Sequence, residues 1–169
     1  MNTDLKKLEE EAYNSGFILR VQVRRPLNLW SVRVVVANYL EPEKIQILGE
    51  MKAWAYARKK GFQLDTMRVR SGAPAGVGHL IWSSTMAWAL ESTPCEEVRL
   101  LAVRDEDNQH ARLVRYFKKR GFGLVREVGS KPNDLPLRTV WGGAGTLMIA
   151  NCREVFSKSY NLWRISGTK

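Results

Sequence analysis

Apolar and polar residues alternate with a period of two over residues 17–24, which predicts a half-buried strand. Residues 30–37 repeat that period with β-branched side chains, and Pro26-Leu-Asn28 between them predicts a hairpin. The N-terminal segment 3–14 has the spacing of a short amphipathic helix that ends near Ser15-Gly16. Residues 42–60 read as a second helix, with Pro42 in its first turn, Arg58-Lys-Lys60 in its last and Gly61 beyond. From there strands and helices alternate. Strand 64–70 leads to helix 76–91, in which Val77, Leu80, Ile81, Ala87 and Trp88 share helical spacing. The nearly unbroken apolar run 98–103 predicts a strand covered on both faces of a sheet. Helix 108–119 turns Leu113, Val114 and Phe117 inward, and strand 122–128 follows Gly121. A turn-rich stretch, short strands at 137–141 and 146–150, and a terminal helix over 152–163 complete the pattern. The predicted class is α/β, an α+β mixed sheet flanked by helices, in a single domain spanning residues 1–169.

Two segments echo one another. Residues 56–64 and 116–124 each run Tyr, one further residue, three basic residues, Gly, Phe, one residue, Leu. The shared pattern predicts that both cap a helix before a strand.

Composition changes this picture in two respects. With 27 Lys and Arg against 17 Asp and Glu the net charge is +10, which favours a polyanionic or acidic partner. Arg112, Arg115 and Lys119 give helix 108–119 an outward basic face suited to such a partner. The two cysteines, Cys95 and Cys152, lack metal-ligand spacing and read as reduced thiols, and no metal site is expected. No apolar run reaches the length of a membrane span, and the mixed-charge N-terminus is no secretory signal, so a soluble, cytoplasmic protein is expected.

Candidate chemistry gathers at Gly76-Val-Gly78-His79, between a predicted strand and a predicted helix. Glycines there allow a ligand to approach the backbone closely, and the first N–H groups of the helix lack intrahelical acceptors. With the positive end of the helix dipole behind them, such groups seat a phosphate or pyrophosphate. His79 reads either as an ordinary helix-opening residue or as a phosphate ligand with a depressed pKa. His110 is expected at the surface. Asp65 and Glu97 are candidate bases that spacing alone does not separate. Gly142-Gly-Ala-Gly145 reads as a tight hairpin turn.

The glycine turn, the apolar strand 98–103 about twenty residues on, Asn108, and the Gly121-Phe122 pair about twenty residues after the strand resemble the GNAT family of acyl-CoA N-acyltransferases over residues 64–128. The resemblance implies an acetyl-CoA-dependent N-acetyltransferase acting on an amine. Gly76, Val77, Gly78 and His79 would then donate N–H groups to pyrophosphate. Leu101, Ala102 and Val103 would line the pantetheine arm in a V-shaped gap, and Asn108 would contact its far end. Two positions depart from the family pattern. Ala73 stands where Arg or Gln usually opens the turn. Phe117 stands where a tyrosine usually protonates the leaving thiolate; Tyr116, one residue earlier, is the remaining candidate catalytic residue. Those departures, with the positive charge, keep open a second reading, a non-catalytic GNAT-like module docking on an anionic partner such as nucleic acid, a ribosome or an acidic protein surface.

Overall fold

The computed structural model describes residues 4–103, 107–128 and 145–167. One seven-stranded mixed sheet organises them. Helix α1 (Asp4–Asn14) leads into β1 (Ile18–Arg24), a single 3-10 turn at Pro26–Asn28, β2 (Trp30–Glu41), β3 (Lys44–Ala55) and β4 (Phe62–Val69). Helix α2 (Gly76–Ser92), β5 (Glu97–Val103), α3 (Asp107–Lys119), β6 (Gly123–Val128), β7 (Gly145–Asn151) and α4 (Cys152–Ser166) follow. The strand order is β1-β2-β3-β4-β5-β7-β6, antiparallel throughout except for the parallel β4–β5 pair.

The expected helix over 42–60 is instead β3 and the turn after it. Its Glu, Met, Lys and Ala residues are good helix formers, which is a weak preference that tertiary pairing overrides. Met51, Ala53 and Ala55 recur at period two and are buried, while Lys52 and Trp54 between them are exposed. β2, twelve residues long, pairs eleven of them in an antiparallel ladder with that pattern. The echo at 56–64 therefore closes a strand-to-strand turn, with Tyr56 N–H donating to Gly61 carbonyl at 2.9 Å. Gly61 does not adopt the left-handed backbone expected beyond a helix; Gly121, at φ +105°, does. The other described elements lie within a few residues of expectation. The segments 129–136 and 137–141 and the start of the glycine-rich 142–145 turn lie outside the described residues.

α2 is buried nearly all round, with Val77, Leu80, Ile81 and every residue from Trp82 to Ala89 inside. A helix apolar on every face must be enclosed. The sheet lies beneath it, α1 and α4 flank it, and α3 meets it through Trp82, which packs edge-on against Phe117 and Phe122. Glu11 of α1 ties α4 in place by accepting from Tyr160 Oη at 2.8 Å and Trp163 Nε1 at 3.1 Å. Asn151 caps α4, its side-chain oxygen accepting from Arg153 and Glu154 N–H groups. The thiols Cys95 and Cys152 are both free and buried; burial pushes the Cys152 thiol up to about 12.

Candidate functional site

Along β4 and β5 the ladder stops early. Phe62 pairs with Val98 and Gln63 with Arg99, and beyond them the two strands share no ladder pair among the described residues. β5 continues to pair with β7 as far as Val103, and β4 with β3 as far as Val69. The sheet thus splits toward the C-terminal ends of two parallel strands, the position where open α/β sheets take ligands. A cleft of about 60 Å³ lies in the split, lined by Leu64, Asp65 and Thr66 on one side and Leu100 and Leu101 on the other, with Trp82 and Phe117 closing it. Leu101 and Ala102 are buried on β5, and Val103 ends that strand opposite Gly145.

α2 opens beyond the C-terminal end of β4, where the split widens. Its N-cap, Ala75, makes no side-chain capping bond, so no side chain serves the first-turn N–H groups from that position. The residues of the turn divide the work. Gly76 is buried against α4; a Cβ there would stand 2.7 Å from Ser166 Oγ and 2.9 Å from the Trp163 ring. Val77 is fully buried and its N–H donates to Pro74 carbonyl at 3.1 Å. Gly78 is open, since a Cβ there would meet only Met67 Cε at 3.9 Å. This is room for a ligand to reach the backbone of an uncapped helix start, which fits a pyrophosphate at Gly78 better than at Gly76. Ala73, where the family pattern has a longer polar residue, is half-buried against the core. Arg68 and Arg70 line a shallow groove with Arg33 and Glu50 on β2–β4.

His79 sits one residue further on and its Nδ1 lies 3.1 Å from Arg120 Nη2. Burial, and then the positive charge of Arg120, hold His79 below the ordinary histidine value. A guanidinium only donates, so the imidazole is neutral and accepts at Nδ1, leaving Nε2–H as its own donor. The sequence does not mark Arg120 as more than one of three basic residues before Gly121. In the fold it is 5% exposed, within 4.8 Å of the Tyr116 ring centre and 5.3 Å of the Trp82 ring, and Nη1 donates to Ser159 at 3.2 Å. Its Nε has no partner and no carboxylate pairs with it among the described residues. Burial accordingly lowers its pKa.

Tyr116 and Phe117 separate as their spacing on α3 requires. Phe117 lines the cleft, whereas the Tyr116 hydroxyl accepts from Trp82 Nε1 at 2.8 Å. Arg112, Arg115 and Lys119 are exposed together on α3. His110 is not free at the surface but half-buried, its Nε2 3.1 Å from Thr146 Oγ1. Asn108 lies in the first turn of α3, and its side chain, like that of Val103, is outside the described part. Of the two candidate bases, Asp65 lines the cleft; it is the extra residue of a β-bulge, since Lys52 pairs with Thr66 and Ala53 with Leu64. Glu97 starts β5 at the paired end. Among the described residues no cluster of His, Cys, Asp or Glu is placed to hold a metal, and no helix is long and apolar enough to cross a membrane.

No protein-family model and no curated protein matches the sequence. Solved structures do. An uncharacterised protein from Bacillus halodurans is similar at a TM-score of 0.51 and 15% identity, over 81% of this chain and 66% of that one. This chain therefore spans just under two-thirds of that protein's length. Weaker likenesses are to Arabidopsis thaliana NAA60 in complex with a bisubstrate analogue (TM-score 0.49, 16% identity, 89% and 94% covered) and to an acetyltransferase of the GNAT family from Streptococcus pneumoniae (0.45, 18%, 72% and 66%). The chain has the mixed α+β fold expected from its sequence and shared with the Bacillus halodurans protein, a seven-stranded sheet split between β4 and β5 with α2 joining the two strands.

Proposed function

We propose that this chain is an acyl-CoA-dependent N-acyltransferase, with acetyl-CoA as co-substrate and an amine as acceptor. The observation that carries the reading is the broken β4–β5 ladder, which opens beside an uncapped helix start with space at Gly78. Gly78 and His79 hold the pyrophosphate through backbone N–H groups and the imidazole Nε2–H, and Gly76 and Val77 shape the turn. The unpaired edge of β5 at Leu101, Ala102 and Val103 offers backbone groups to the amides of the pantetheine arm, and Asn108 meets its far end. Acetyl-CoA supplies a thioester whose C–S bond is exchanged for a C–N bond, the thiolate leaving with a proton. Asp65, aimed by the bulge toward the cleft, receives the proton that the attacking ammonium must lose. Leu100, Leu101, Trp82 and Phe117 exclude water from the reacting centre.

An acetyl-transfer assay on an amine panel tests this. Asp65→Asn lowers turnover by about a hundredfold or more while leaving acetyl-CoA affinity unchanged. Equal turnover in both proteins would remove Asp65 from the mechanism. Tyr116→Phe separates two roles of that side chain. A tenfold loss of turnover makes it the proton donor to the thiolate, and lost stability alone makes it a support for Trp82.

A second reading, a non-catalytic module on an anionic partner, draws on Phe117 in the cleft and on the exposed Arg112, Arg115 and Lys119. Tight acetyl-CoA binding without transfer to any amine, together with RNA binding lost on reversing those three charges, would favour it.

A further inference from the structure

Asp65 lines two cavities. One is the cleft between β4 and β5; the other is a groove of about 340 Å³ across β1–β4. Cross-strand register explains the groove's lining, because Gln22, Arg33 and Lys52 lie side by side, as do Arg24, Ser31 and Trp54, and Asp65 of the β4 bulge stands at the end of these rows. Residues two apart in a strand share a face, so these rows belong to one surface. The helix-facing side of the same strands carries Val32, Val34, Met51 and Ala53, and no described helix lines the groove.

Charge is graded along this groove. Asp65 stands at the β4 end, against the cleft; Lys52 on β3, Arg33 on β2 and Arg24 on β1 follow. Arg33 is already neutralised, donating from Nε to Glu50 at 2.8 Å. Arg24, Lys52 and Asp65 are exposed and have no ion-pair partner among the described residues. Three steps between neighbouring strands span about 14 Å, the reach of roughly four extended residues. Trp54, 37% exposed, adds an apolar wall within that span.

We infer that the groove is the acceptor site, and that the acceptor is an acidic peptide segment presenting a free amine. The ammonium lies at Asp65, at the mouth of the cleft, and the carboxylates behind it meet Lys52 and then Arg24. A compact metabolite would leave most of the trough empty, whereas an extended peptide follows it. The inference rests on the acyltransferase reading for the role of Asp65, but peptide binding is measurable without turnover.

The test uses the whole chain and three fluorescent peptides, each with a free N-terminal amine followed by three glutamates, three glutamines or three lysines. Anisotropy at physiological salt is the readout, and acetyl-CoA affinity is measured separately by calorimetry. The glutamyl peptide is expected to bind at least tenfold more tightly than the other two. N-acetylating it should cost severalfold by removing the charge that Asp65 receives. Arg24→Glu and Lys52→Glu should each weaken it about tenfold, whereas Lys6→Glu, an equal charge change on α1, should not. Equal binding of all three peptides, or glutamyl-peptide binding that survives both groove substitutions, would overturn the inference. So would an oligonucleotide that outcompetes the peptide and depends on Lys52. Loss of acetyl-CoA binding with peptide selectivity intact would instead strike the acyltransferase reading alone.

Discussion

Gly76 and Gly78 are two residues apart in one helical turn, and the fold uses them in opposite ways. Gly76 is where α4 comes closest: Trp163 and Ser166 occupy the volume a side chain would need. Gly78 faces space, with a single methyl at 3.9 Å from where its Cβ would be. The first glycine lets two helices touch, and the second lets something else approach. A glycine pair at a helix start is thus one packing device and one candidate ligand seat, and only the surroundings say which is which.

The comparison breaks most visibly at Gly76. Gly76→Val drives a branched side chain into the Trp163 ring, which Glu11 holds by its indole N–H. Overpacking of this kind costs about 2 kcal/mol or more, beyond the small gain in helix propensity. Urea denaturation should show a lowered midpoint at unchanged slope; a midpoint like that of the parent would mean that α4 is free to move away. Gly78→Asp should do the reverse. A carboxylate near a helix N-terminus is tolerated, so the unfolding free energy should change by less than about 1 kcal/mol. The same carboxylate would stand in the proposed pyrophosphate seat, and acetyl-CoA affinity should fall more than tenfold.

A third prediction concerns His79, the neighbour of the open glycine. Its pKa in the folded protein lies below the ordinary value near 6.5, so between that lowered value and 6.5 the unfolded chain binds more protons than the native one. The His79 contribution is therefore present above about pH 6.5 and is lost as the pH falls through that window. Thermal melts from pH 7.5 to 5 should show a decline that His79→Asn makes shallower. An unchanged pH slope would mean that the Arg120 contact does not bias the imidazole. The smallest effect is expected from Gly78→Ala, which removes a helix glycine without a clash and should stabilise the protein by roughly 0.5–1 kcal/mol.

The sequence marks both glycines and the strand–helix context that makes a binding turn, and β5, α3 and Gly121 stand close to where their patterns place them. What it hides depends on distant partners. Whether residues 44–55 form strand or helix turns on the ladder that β2 provides, which outweighs their helix propensity. The echoed segments 56–64 and 116–124 look alike, yet one follows a strand and the other a helix. What precedes them, rather than the shared residues, decides the outcome. Arg120 reads as a surface charge because nothing local announces that Trp82, Tyr116 and Ser159 enclose it. The link between Asp65 and two cavities likewise arises from a one-residue bulge in β4 that no periodicity reveals.

Calorimetric titration of acetyl-CoA into the protein, run beside Gly78→Asp, reads out the proposed pyrophosphate seat at the start of α2. Saturable one-to-one binding in the micromolar range is expected for the parent and none for Gly78→Asp at the same concentrations, with both proteins equally folded. No binding by the parent at high micromolar acetyl-CoA, or equal binding by the variant, would contradict it.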